Sequence, residues 1–505
     1  MKFSFYTLGC KVNQYETQAM QQMLLSHGHT LGEFDEPCDG YIVNSCTVTA
    51  VSDKKTRNAI RRAQKLNPDA AVGVCGCYAQ SAPDEVRALG VDVMVGTAER
   101  EAFVLQMEQA AQDKKNHAHW EKVAPSNLPR AFEQLPAGGL AARTRALLKI
   151  EDGCNNFCTY CIIPYARGPI RSLPLEEAKA QAKKLAREGY REIVVNGIEI
   201  SSWGWEWKNG SRLSALLLAI CQAAPEVRIR LGSLEPRTID EDFCKTLSVC
   251  KNLCPQFHLS LQSGSDTVLK RMNRKYDTAR YLESVRLLHR YFPGCRMVNM
   301  DATVTNISQK SDEELRLLYD QGVRRLYLGI ESGLDDVLSF TKKDHNLQQA
   351  YCQIERMKNA GMIFNAHIMT GIAGAGRGTE NAQQTALFFN RTQPERIINF
   401  SLFLNRRAPL FRDYQAGRFT PASELENLME DRLLVSLLQV PGLHYDGMHD
   451  MLKVRVRGTL PQDREKMLKK FDEAISHWQT QPPVYAVLGE EHTFSSNEIY
   501  TDQSA

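Results

Sequence analysis

Three cysteines, Cys154, Cys158 and Cys161, stand in a Cys-x3-Cys-x2-Cys spacing directly after the apolar run 146–150, which puts them on a loop leaving a strand. Three thiolates on one short loop suit three irons of a cubane [4Fe-4S] cluster, with the fourth iron left open to a small molecule. An open iron implies chemistry as well as electron storage. A zinc site is the competing reading, but it would want a fourth Cys or His and a Cys-x2-Cys pair at each end. Three buried apolar thiols are the plainer alternative. Asn155 and Asn156 flank the first cysteine, and the loop carries no His.

A second set lies upstream. Residues 1 to about 100 alternate short apolar runs (3–8, 40–43, 70–74, 91–95) with amphipathic stretches (14–26, 51–66, 82–89). This is the βα alternation of a small parallel sheet, whose strands end on one shared edge where ligands sit. Cys10, Cys46 and Cys77 each fall just past a strand end and should converge there, unless all three are simply buried small residues. Cys75 is a rival to Cys77, and Cys38, in an acidic turn, is incidental.

The elements that must position these residues are set by the chain as a whole. Its 505 residues exceed one ordinary core and predict two to four domains. Against 59 Asp and Glu there are 62 Lys and Arg, so any basic face for nucleic acid must be local. The N-terminal apolar run is too short for a signal peptide and no stretch is long enough to span a bilayer, which predicts a cytoplasmic protein without membrane partners. The 14 cysteines are then reduced thiols or metal ligands, not a disulfide framework.

The Cys154–Cys158–Cys161 spacing resembles that of the radical S-adenosylmethionine (SAM) superfamily, in which the open iron takes the amino and carboxylate groups of SAM. Tyr160 then matches the aromatic that this superfamily sets against the adenine. With both cysteine sets, residues 1 to about 290 resemble a methylthiotransferase, which replaces C–H by C–S–CH3. The stretches Thr-Leu-Gly-Cys-Lys-Val-Asn-Gln-Tyr-Glu-Thr (7–17) and Asn-Ser-Cys-Thr-Val-Thr (44–49) are similar to the branch acting on threonylcarbamoyladenosine at tRNA position 37. Lys11, Val12 and Asn13 follow the first cysteine where the ribosomal-protein branch has Pro-Lys-Asn.

The resemblance implies two [4Fe-4S] clusters, one on Cys10, Cys46 and Cys77 and one on Cys154, Cys158 and Cys161, with SAM as cosubstrate. It implies a small N-terminal domain over 1–103 and a six-stranded (β/α) barrel over 144–405; the polar stretch 104–143, with several Pro and Gly and no sustained period, reads as a linker, and 406–505 reads as an α-rich C-terminal extension. It places SAM contacts at Asn196, Gly197 and Glu199 on one strand end, at Ser233 and Glu235 on the next, and at Gln262 and Ser263 on a third. Gly197 would let backbone approach the ligand and Glu199 accept from its ammonium. For any one of these polar residues a helix cap is the competing reading.

Beyond about 290 the pattern breaks. Leu-Ser-Leu-Gln-Ser-Gly-Ser-Asp-Thr-Val-Leu (259–269) is repeated as Leu-Gly-Ile-Glu-Ser-Gly-Leu-Asp-Asp-Val-Leu (328–338), 69 positions on. The duplicated βαβα segment, about 228–361, brings six strands to eight, and leaves open a full eight-stranded barrel, a displaced copy, or a recombined chain. Glu331 and Ser332 then compete with Gln262 and Ser263 for one place over SAM. His117 and His119 in the linker read as solvated, and His444, Asp446 and His449 fit no strong metal spacing. Residues 406–505, including Arg406 and Arg407, lack the run of short strands of the RNA-gripping β-barrel with which the family ends, and the segment past 489 reads as a frayed tail.

The function implied is methylthiolation of the modified adenosine in a tRNA anticodon loop. SAM cleavage would yield a deoxyadenosyl radical that abstracts hydrogen, the second cluster would carry sulfur, and a second SAM would give the methyl. A reductant such as flavodoxin or ferredoxin and a sulfur source are implied partners. Lys54, Lys55, Arg57, Arg61 and Arg62 offer one basic helix face for phosphates. A protein methylthiotransferase, another radical SAM enzyme, and an inactive fusion are the alternatives.

Overall fold

The computed structural model describes residues 1–488 except 114–118, 129, 139–143, 406, 407, 450 and 453. His117, Arg406, Arg407 and the tail past 489 lie outside the described residues. The chain divides into two compact units, Met1–Cys295 and Arg296–Ala505.

The first unit opens with six parallel strands: β1 (Lys2–Thr7), β2 (Thr30–Gly32), β3 (Gly40–Ser45), β4 (Ala71–Gly76), β5 (Val93–Val95) and β6 (Trp120–Lys122). Their order is β2-β1-β3-β4-β5-β6. β3 and β4 are buried at every position, as central parallel strands covered on both faces must be. The helix Lys11–Ser26 turns Val12, Tyr15, Ala19, Met20 and Leu24 inward at helical spacing. β2 and β6 are short edge strands that the sequence reading did not contain. The helix Arg100–Gln112 and β6 also occupy part of the span read as linker from residue 104. That stretch is polar on its outer face, but Phe103, Val104 and Met107 pack on the sheet.

Next come β7 (Arg145–Lys149), β8 (Glu151–Asp152), β9 (Arg171–Ser172), β10 (Glu192–Asn196), β11 (Arg228–Leu231), β12 (Ser233–Leu234) and β13 (His258–Leu259). β7, β10 and β11 form one parallel sheet and β12 pairs with β13. β8 and β9 pair antiparallel, Glu151 against Ser172 and Asp152 against Arg171, and so clamp the base of the cysteine loop between them. Helices Leu175–Arg187, Leu213–Ala223 and Glu241–Ser248 bury Leu185, Leu217, Ile220 and Phe243 against the strands. Each such side chain contributes roughly 1.5–3 kcal/mol.

The second unit carries β14 (Val298–Ala302), β15 (Val323–Glu331), β16 (Ile363–Thr370), β17 (Arg396–Ser401), β18 (Leu404–Asn405), β19 (His444–His449), β20 (Val454–Thr459) and β21 (Val487–Leu488). Six of these form a sheet in the order β14-β15-β16-β17-β19-β20, parallel up to β19 and closed by the antiparallel β20. The C-terminal extension is therefore built into this sheet, and β19 is an addition to the reading of that region as helical. As ladders, the eight strands counted from the sequence fall into three sheets rather than one.

The 69-residue repeat is structural. Gln262 and Glu331 share a left-handed φ of 64°, and Asn273 and Lys342 have φ of 58° and 57°. The Asp266 side chain accepts from Thr278 N at 2.8 Å, and Asp335 accepts from Leu347 N at 2.7 Å. Asp277 caps the helix Thr278–Tyr291 as Asn346 caps Leu347–Asn359.

His444, Asp446 and His449 do not converge. His449 is buried and bonds Asp431 at 3.0 Å, Asp446 pairs with Arg455, and His444 bonds Thr459. Among the described residues no group of three or more His, Cys, Asp or Glu side chains is arranged to hold a metal ion, and no described helix is long and apolar enough to cross a membrane.

Candidate functional site

The turns that carry Cys10, Cys46 and Cys77 lie side by side at the carboxyl edge of the first sheet. Gly9 has φ +108°, and a Cβ there would sit 3.0 Å from Cys46 Cβ and 3.1 Å from its Sγ, so only glycine brings the Cys10 turn this close. Gly76, just before Cys77, has φ +99° and packs on Ser45 and Asn44, the two residues preceding Cys46. Two side chains hold the turns in register. Asn13 Nδ2 donates to Leu8 O at 2.7 Å and Ser45 O at 2.9 Å, while its Oδ1 accepts from Cys10 Sγ at 3.8 Å. Ser45 Oγ donates to Cys75 O at 2.6 Å and accepts from Tyr78 N at 3.2 Å, tying the Cys46 turn to the Cys77 turn. Cys10 is exposed, and Cys46 and Cys77 are buried. Cys75 lies in an apolar cluster with Phe3, Met20 and Phe103, and burial pushes its thiol up to about 12.

The second set sits on the clamped loop. Gly153, at φ +87°, has no room for a Cβ against Pro169, its N–H donates to Asp152 Oδ1 at 2.8 Å, and Cys154 N donates to Gly168 O at 3.0 Å. Cys154, Cys158 and Cys161 are all partly exposed and none is in a disulfide. Burial, then the Glu199 and Glu151 carboxyls, push the Cys154 thiol up to about 12. Burial also raises Cys158, with Arg274 opposing it. Asn273 Nδ2 braces the loop by donating to Asn156 O at 3.0 Å and Phe157 O at 2.9 Å.

The strand ends gather beside that loop. Tyr160 OH donates to Gln262 Oε1 at 3.0 Å, and Arg274 both hydrogen-bonds the phenol and lies 5.7 Å from the ring centroid. Asn196 is buried, and neither atom of its amide has a protein partner. Burial, and next the Glu235 charge, push the Glu199 carboxyl up to about 7. Glu235 is buried and held by Arg237 at 2.6 Å. Glu199 also accepts from Ser201 N at 3.2 Å, so the cap reading holds for it alongside its place in the site. Ser233 Oγ is engaged with His258 Nδ1 at 2.8 Å, and Ser263 Oγ accepts from Ser265 N at 3.2 Å.

Glu151 was missing from the sequence reading. It is fully buried, accepts from Glu199 N at 2.7 Å, and burial holds it protonated well above the usual carboxylate range. A Cβ on Gly197 would meet Glu151 Oε2 at 2.8 Å, so this glycine makes room for Glu151. Glu331, in the second unit, pairs with Lys343 at 2.9 Å.

A buried ionic network joins the two cysteine-bearing parts. Glu16 accepts from Arg100 at 2.9 Å, Arg167 at 2.8 Å and Lys149 at 3.1 Å, and Asp152 pairs with Lys149 at 2.7 Å and with Arg167 and Arg171. Burial alone would raise both carboxyls, but these cations hold them well below the usual range. None of these pairs is visible as a motif, since Glu16 and Arg167 are 151 positions apart.

The residues present fit the cofactors that such sites take. Each trio offers three thiols, and burial raises Cys77, Cys154 and Cys158, thiols that a soft metal would turn into thiolates. The orphaned Asn196 amide offers a donor and an acceptor to a polar ligand. Three thiols on a loop at the mouth of parallel β/α strands define a radical SAM enzyme, and residues 148–304 match the Radical SAM superfamily. Residues 2–96 match the family described as Uncharacterized protein family UPF0004. The chain is 37% identical over 318 residues to threonylcarbamoyladenosine tRNA methylthiotransferase MtaB of Bacillus subtilis, covering 63% of this chain and 69% of that protein. It is 31% identical over 331 residues to the protein of that name from Chlamydia pneumoniae, covering 64% and 73%. To tRNA-2-methylthio-N(6)-dimethylallyladenosine synthase of Chlorobium luteolum it is 31% identical over 298 residues, covering 58% and 65%. The chain belongs to the radical SAM tRNA methylthiotransferase family, whose members use SAM and [4Fe-4S] clusters.

Proposed function

We propose that the protein adds a methylthio group to threonylcarbamoyladenosine at position 37 of tRNA. The observation that carries this reading is the placement of two separate three-cysteine sets on strand-end turns of the first unit, in a chain similar to enzymes of that name. Cys154, Cys158 and Cys161 would hold one cluster, and Cys10, Cys46 and Cys77 the other. With SAM, the clusters supply one-electron cleavage of a sulfonium, hydrogen abstraction and delivery of sulfur.

The chain's own residues bind and orient. Tyr160, fixed by Gln262 and Arg274, forms a flat wall for the adenine. Asn196 presents its free amide to the amino acid part of SAM, with the Gly197 turn seated on Glu151. Glu199 is poised so that an ammonium beside it keeps it ionised. Ser233, Glu235 and Ser263 line the same strand ends, with Ser233 and Ser263 already bonded to protein. Of the basic helix face, Arg57 and Arg62 are paired with Glu85 and Asp35, which leaves exposed Lys54, Lys55 and Arg61 for phosphates. A flavodoxin or ferredoxin would supply electrons and a sulfide or persulfide donor the sulfur, in the cytoplasm where tRNA is modified.

The substrate branch is tested with anaerobically reconstituted protein, dithionite, SAM and sulfide. Two tRNAs are compared, one carrying threonylcarbamoyladenosine and one carrying dimethylallyladenosine. The reading predicts product from the first at least tenfold faster. Equal rates, or preference for the second, would refute the assignment.

A further inference from the structure

Arg167 ends the short helix Ile163–Arg167 that follows Cys161, and its side chain is completely buried. The residue after it, Gly168, serves the loop's own cysteine set, its carbonyl accepting from Cys154 N at 3.0 Å. The Arg167 guanidinium serves the other set. Nη2 donates to Asn13 Oδ1 at 2.7 Å, the same oxygen that accepts from Cys10 Sγ. One side chain on the second cysteine loop is therefore tied to Cys10 of the first set through Asn13.

The charge around it is unbalanced. Arg100, Lys149, Arg167 and Arg171 are buried together against Glu16 and Asp152, and Glu133 beside Arg100 is pushed up by burial. Glu151 is buried beside Asp152 as well, but burial keeps it protonated, so even with Glu133 ionised the four cations exceed the charged carboxylates. Buried charge is costly unless compensated, and an anionic thiolate centre at Cys10, Cys46 and Cys77 is the compensation that the fold places within reach.

We propose that Arg167 is a positioning residue for the Cys10–Cys46–Cys77 centre: reaching across from the other cysteine loop, it fixes Asn13 beside Cys10 and supplies fixed positive charge near the ligand sulfurs, and so raises that centre's reduction potential. Net charge and hydrogen bonds to the sulfurs set such potentials, and a cation favours the more negative reduced state. Because the same loop carries Cys154, Cys158 and Cys161, assembly of one centre is coupled to correct seating of the other. This inference rests on the reading that Cys10, Cys46 and Cys77 hold a cluster.

The test uses full-length protein with Cys154→Ala, Cys158→Ala and Cys161→Ala, reconstituted anaerobically with iron and sulfide, so that a single centre is observed. Arg167→Gln leaves Arg100, Lys149 and Arg171 against Glu16 and Asp152, which keeps the carboxylates compensated. In an EPR-monitored redox titration, Arg167→Gln should shift the reduction equilibrium at least tenfold toward the oxidised state, about 59 mV for one electron. Arg167→Lys, which restores the charge, should shift it less than threefold but release iron to a chelator at least fivefold faster. Loss of the iron from folded Arg167→Gln also supports the role. Full iron with an unchanged potential in Arg167→Gln overturns it. If Arg167→Gln does not fold, an unchanged iron-release rate in Arg167→Lys overturns it. If the parent triple variant binds no iron at all, the cluster reading itself fails, which is a distinct result.

Discussion

Cys10, Cys46 and Cys77 come from three strand ends far apart in sequence, and Asn13 and Ser45 bond each of their turns to the next. Cys10→Ala is expected to cost about half of the iron and sulfide of the reconstituted protein, because one of two trios is broken. Colorimetric iron and sulfide counts check this, and undiminished iron would mean that the first trio holds no cluster. Glu199 gives a pH prediction. Its folded value of about 7 lies above the ordinary 4.5, so the folded state keeps a proton that the unfolded chain releases between those values. Stability therefore falls as pH rises through that window, by up to about 1.4 kcal/mol per unit. Glu199→Gln should remove this slope from urea unfolding of the metal-free protein at pH 4.5–7, and an unchanged slope would place the effect elsewhere. At this scale the cysteines were legible because strand ends of a parallel sheet share an edge. Glu151, Asn13 and Arg167 were not, since their roles arise from burial and from partners far along the chain.

At the scale of elements, the two copies of the repeat keep the same backbone device while their side chains diverge. In the first copy, left-handed Gln262 bonds Tyr160 of the cysteine loop; in the second, left-handed Glu331 is tied to Lys343. Asp266→Ala and Asp335→Ala each remove one side-chain acceptor from a helix start and should each lower stability by about 1 kcal/mol. Paired denaturation curves measure this, and a negligible change in either would show that the copy no longer relies on the device. The long apolar strands were readable from their runs. β2 and β6 were not, being three-residue edges with polar or aromatic members. β19, His-Tyr-Asp-Gly-Met-His, escaped for a different reason: its inward His449 and Tyr445 carry polar atoms satisfied by Asp431, so the stretch does not read as an apolar run.

At the scale of the molecule, each unit has its own core: Leu148, Val195 and Leu217 belong to the first, and Phe364, Tyr445 and Phe471 to the second. Truncating the fully buried Phe471 to Ala should cost roughly 3–5 kcal/mol. It should lower one calorimetric transition and leave the iron content of the other unit intact. A fall in iron at both cysteine sets would show that the second unit is needed to hold them. Everything that resembles the methylthiotransferases in chemistry lies in the first unit, which is why its function could be read from cysteine spacing while the architecture beyond Arg296 had to be seen. The most direct test of the whole account is mass spectrometry of tRNA nucleosides from cells lacking the protein, complemented with the wild type or with Cys154→Ala. The account predicts that 2-methylthio-threonylcarbamoyladenosine is absent without the protein, restored by the wild type and not by Cys154→Ala. Unchanged levels of that nucleoside in the deletion strain would contradict it.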